Sequence, residues 1–306
     1  MNPREYKQLL AEANALEQLL ADIPYENVLE RPGVEARLDH VKELLASAVP
    51  PSREPARARL TFRGRPVIEH RGIFVEFGTK ATNAFTDVVA KFAAAISGPL
   101  ASMGPVPRRE ESQLLITSTA FGSFGFELEE FRPPLLEFGD PSTSAQALEQ
   151  TRSLLQSTLG SDDELADAAS GTDPRALDAV RSFLRVLADN EAVCALELDE
   201  AEFRFSDVGE VRRSAERLSQ DNLSEKDTLL MGEFQGVLPK ARTFEFKLTA
   251  NQEIVRGKIG PAISDPDDIN RHLHSLVKIN VQETRVGNGK PRYVLSASPI
   301  WPADTT

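Results

Sequence analysis

The chain has 306 residues, 41% hydrophobic and 27% charged. That balance excludes wholesale disorder and leaves room for two or three domains with real cores. The formal net charge of −12 is concentrated in the middle, where residues 123–203 hold 18 acidic and 5 basic side chains. Such a segment repels nucleic acid and acidic membranes, and suits solubility or a basic partner.

The opening residues carry two matched hydrophobic ladders. Tyr6, Leu9, Ala13, Leu16, Leu20 and Ile23 step by threes and fours. Val34, Leu38, Val41, Leu45 and Ala48 do the same after a break at Pro32-Gly33. This spacing predicts a helical hairpin over residues 1–49 with one apolar stripe per helix. Leu10, Leu19 and Leu44 lie beside the stripes, so two helices covering each other leave apolar surface over. Tyr6, Leu9, Leu16, Leu20, Leu38 and Leu45 are therefore the candidate interaction residues.

Pro50, Pro51 and Pro55 predict a stiff linker, followed by a β-β-α unit over 56–97. Its arginine-rich first strand turns at Gly64-Arg65-Pro66 into a second strand ending at Phe77, and Thr79 is placed to cap the helix that follows. An acidic α/β region over 112–220 opens with strands at 113–119 and 123–131. Helices between Ser144 and Ala188 come next, with Ser161/Glu164 as a capping box and Asp173-Pro174 as a helix start. Strands at 192–198 and 202–205 and a helix at 207–218 close this region. From residue 226 to 300 the alternation is that of strands, bent at Gly232 and Gly236 and turned at Gly287-Asn288-Gly289. Five short strands there predict a small antiparallel β-barrel. The fold class expected is α+β.

Chemistry-bearing motifs are sparse. Thr243-Phe244-Glu245-Phe246-Lys247, with Glu233 upstream, resembles the PD-(D/E)xK nuclease arrangement, in which acids hold a divalent ion and a lysine steadies water. The motif's Pro-Asp turn is absent, and outward Glu and Lys pairing across strands is the competing reading. Arg59, Arg63, Arg65 and Thr79, together with Arg57 and Arg71, are an anion-binding candidate at the expected helix start. The same arginines also suit docking on an acidic surface. Gly122-Ser123-Phe124-Gly125 lacks the spacing of a nucleophile elbow. Cys194 lies in an apolar strand as a packing residue and has no internal disulfide partner. His272 and His274 fall at a helix end, where they complement the dipole. Neither a metal nor a cofactor is expected.

The sequence thus predicts a cytoplasmic, non-enzymatic interaction, sensor or adaptor protein that self-associates or joins a protein complex. A bacterial stress or anti-phage defence system is one such setting. No apolar run reaches membrane-spanning length, and residues 1–7 lack the apolar stretch of a secretory signal. The alternative is a metal-dependent nuclease or hydrolase using Glu233, Glu245 and Lys247.

Overall fold

A computed structural model describes residues 3–23, 31–47, 55–120, 124–131, 141–199, 201–299 and 301. The expected linker prolines Pro50 and Pro51, the ladder residue Ala48 and the Gly122-Ser123 pair lie outside them. The chain forms two compact units, one of residues 1–55 with 132–140 and one of residues 56–131 with 141–306.

The first unit contains α1 (Pro3–Asp22) and α2 (Arg31–Ser47). The helix pair expected from the two ladders is observed, and Ala13, Leu38 and Val41 are buried between Leu9, Leu16, Leu20 and Leu45. Pro32 and Gly33 do not break α2 but lie in its first turn, where a proline lacks no helical hydrogen bond. Ion pairs flank the seam, Arg37 to Glu12 at 2.6 Å and Lys42 to Glu17 at 2.8 Å.

The second unit begins with a five-stranded antiparallel sheet of order β4-β5-β1-β6-β7. Its strands are β1 (Arg57–Gly64), β4 (Leu114–Ala120), β5 (Phe124–Glu130), β6 (Ala192–Leu198) and β7 (Ala201–Arg204). β1 pairs with β5 and β6, so the 56–97 segment and the acidic region contribute to one sheet. One face of that sheet, with Leu60, Phe62, Leu128 and Leu196, shares a core with α3 (Val75–Ser97), α4 (Thr143–Ser157) and α6 (Pro174–Asp189).

The second strand expected to end at Phe77 does not form. Only β2 (Val67–Ile68) and β3 (Gly72–Ile73) form, as a separate two-residue hairpin, and α3 already begins at Val75. The reason lies in the ladder Phe77, Ala81, Phe85, Val88, Val89 and Phe92, all buried, which is helical from its first member.

Two shorter helices complete this half, α5 (Asp162–Ala169) and α7 (Val208–Arg217). The expected caps are present. Ser161 and Glu164 form a reciprocal capping box on α5, and Asp173 accepts a hydrogen bond from Arg175 N ahead of Pro174.

The C-terminal half is a closed barrel of β8 (Leu223–Leu238), β9 (Thr243–Leu248), β10 (Ile254–Ile259), β11 (Leu276–Val286) and β12 (Arg292–Leu295). β8 is long enough to pair with β11 along its first part and β9 along its last, with a bulge between Phe234 and Gly236. Most pairs are antiparallel, but β10 and β12 run parallel. Around the barrel the order is first, second, third, fifth, fourth, and a 3-10 helix (Pro266–His272) precedes the fourth strand. A small five-stranded barrel is a scaffold whose presence alone assigns no activity. Phe234 centres the interior, with ring centroids 5.7 Å from Phe244, 5.0 Å from Phe246 and 6.0 Å from Trp301.

Candidate functional site

Strand alternation decides which barrel residues reach solvent. Phe244, Phe246 and Val255 turn inward, so Glu245, Lys247 and Arg256 turn outward. Glu233, Glu245 and Lys247 all lie on the outer face of β8 and β9. Lys247 Nζ lies 3.9 Å from Glu233, its register partner on β8, while Glu245 instead pairs with Arg256 at 2.8 Å. Both acids are engaged in pairs across neighbouring strands, as the competing reading of the sequence describes. Among the described residues, no group of three or more His, Cys, Asp or Glu is placed to hold a metal ion.

A cleft of about 670 Å³ opens beside those strands. Val237 and Leu238 of β8, Phe244 of β9 and Tyr293 of β12 give it a mainly apolar lining, and Gly236 leaves part of its wall bare. Asn270 fixes the edge of the bulged strand, accepting from Val237 N at 3.0 Å and donating to Val237 O at 3.1 Å. Gly257 is required on β10, because a Cβ there would collide with the Phe244 ring and lie 2.7 Å from Tyr293 O. Burial raises the Tyr293 phenol above its ordinary range, and the nearby Glu283 charge adds to that. Charged groups form the rim. Lys258 Nζ donates to Asp167 O at 2.8 Å and lies 3.4 Å from its carboxylate, and Arg292 pairs with Asp163 at 3.4 Å.

The arginine candidates are distributed differently. Arg59 lies opposite Glu127 on β5 and Glu197 on β6, at 3.4 and 3.1 Å, and Arg57 meets Glu129 at 3.1 Å. Arg65 lies 3.7 Å from Glu191, and Arg63 is exposed near the end of β1. Thr79 does not cap α3: Phe74 holds the N-cap position, and Thr79 sits a full turn inside the helix. Gly78 N already donates to Phe74 O at 2.9 Å, so the expected helix-start donors are not at Gly78-Thr79. The arginine face is a cross-strand ladder of ion pairs.

Cys194 is buried in β6, and burial drives its thiol far above the ordinary range. His272 ends the 3-10 helix and stacks on Trp301 with a centroid distance of 4.5 Å. His274 lies two residues beyond the end of that helix, with a positive φ of 60°.

In the first unit the interaction candidates split by position. Leu38 is buried, and Leu9, Leu16, Leu20 and Leu45 pack against it, so these form the seam itself. The Tyr6 side chain lies outside the described residues. The flanking leucines are the ones left open, Leu10 at 47% and Leu19 at 46% exposure, with Leu44 at 37%. The residues that sequence reasoning missed are those of the cleft, because Val237, Phe244 and Tyr293 read as ordinary strand positions. Among the described residues, no helix is long and apolar enough to cross a membrane. Set against family models, curated proteins and solved structures, the chain matches none.

Proposed function

We propose that the protein is a non-enzymatic interaction protein that assembles through its N-terminal helical hairpin, with a second copy of itself as the partner. The observation that carries this reading is the half-exposure of Leu10 and Leu19 on a helix whose seam is already closed. Two helices of this length hide one stripe each, and leucines outside that stripe gain only from a further surface. The barrel fits the same reading, since its Glu233, Glu245 and Lys247 side chains are held in ion pairs on the outside of the strands.

Light scattering coupled to size-exclusion chromatography tests the proposal on the full chain. Wild type is expected to elute above the 33.6 kDa of one chain. The Leu10→Glu/Leu19→Glu double variant is expected to fall to that mass with its circular dichroism unchanged. An assembly that survives both charges would show that another surface holds it.

A further inference from the structure

The barrel cleft is independent of the hairpin and invites its own reading. Its volume of about 670 Å³ suits a small organic molecule better than a side chain or a single ion. Its interior is apolar, and its rim carries Arg256, Lys258 and Arg292, paired with Glu245, Asp167 and Asp163. The rim pairs are solvent-exposed: Arg256 and Glu245 side chains are 83% and 44% accessible, and Lys258 and Asp167 are 41% and 58%. Pairs of that exposure exchange partners at little cost, so an incoming anion can replace a carboxylate.

The same geometry excludes a nucleic-acid strand. In five-stranded barrels that bind oligonucleotides, the ligand uses the face of the second and third strands and the loop between the fourth and fifth. Here that loop lies against α5, and a Cβ at Gly289 would sit 3.6 Å from Asp162 Cβ. Asp163 and Asp167 of the same helix already meet Arg292 and Lys258. The helix is fixed in place, because Leu165, Ala166 and Ala169 on its other side are buried in the core. A phosphate chain following that path would meet Asp162 and Asp163 as well as Asp167, whereas a single acidic group at Arg256 and Lys258 has only Glu245 and Asp167 to replace. We infer that the cleft binds a small amphipathic anion, its apolar body against Val237, Phe244 and Tyr293 and its acidic group at Arg256 and Lys258.

Titration of the full chain with the dye 1-anilinonaphthalene-8-sulfonate, followed by fluorescence, tests this. One saturable site per chain is expected, with the dye displaced by octanoate but not by octylamine or oligothymidylate. Gly236→Leu narrows the cleft from a position where an added Cβ meets nothing within 4 Å. It is expected to weaken dye binding about tenfold or more while leaving the unfolding midpoint near that of wild type. Arg256→Ala/Lys258→Ala, which leaves the apolar lining intact, is expected to weaken octanoate competition. Absence of a saturable site, dye binding unchanged in both variants, or displacement by octylamine or oligothymidylate as effective as by octanoate would each overturn the assignment.

Discussion

Glu225 shows how one side chain can hold a cost that strand pairing imposes. It lies on β8 opposite Thr284, with one carboxylate oxygen buried and without a hydrogen bond, and burial raises its pKa above the ordinary 4.5 despite the opposing field of Arg181. A raised folded-state pKa means that folding favours the protonated form. The group's stabilising contribution is therefore full below its unfolded pKa and lost as pH rises through the folded one. Glu225→Gln should accordingly gain stability over wild type as pH is raised from acid to neutral in urea unfolding. A difference that does not change with pH would refute this cause. Cys194 gives a second outcome at this scale: the native thiol should resist a disulfide reagent that reacts promptly once the chain is unfolded. At the barrel centre, Phe234→Ala removes a ring touching three others and should cost about 3–5 kcal/mol, read from the denaturation midpoint.

Helices and strands differed in how plainly the sequence announced them. The caps Ser161/Glu164 and Asp173-Pro174 are local, needing only neighbouring residues, and both were legible. Ser161→Ala should destabilise the chain by about 1 kcal/mol through loss of the α5 cap, measurable by chemical denaturation. The start of α3 was not legible, because Ile73, Val75 and Phe77 alternate like a strand, while only Phe77 belongs to the helical ladder that Ala81 and Phe85 extend. Tertiary burial of that ladder chose the helix. β8 begins at Leu223, ahead of the first clear alternation, since Leu223–Glu233 is held by pairing with β11 and only Gly232–Leu238 reaches β9. The cleft was illegible for a similar reason: β8, β9, β10 and β12 bring its residues together, and its space depends on the missing side chain at Gly236. By contrast, the Glu245/Lys247 alternation stated its own outcome, an outward pair, and only the partners had to be supplied by structure.

At the scale of the molecule, the α+β class and the terminal barrel followed from the change in hydrophobic period, from helical ladders at the start to strict alternation at the end. The acidic middle segment finds part of its meaning in the second unit. Glu127, Glu129 and Glu197 face the β1 arginines, and Asp163 and Asp167 face the barrel's cations. Assembly is the claim on which the functional proposal stands, and it depends on leucines that the hairpin seam leaves exposed. Sedimentation equilibrium of the full chain over a wide concentration range measures it directly. The expected result is a mass that rises with concentration from 33.6 kDa toward twice that value or more. A single 33.6 kDa species at every concentration would contradict it.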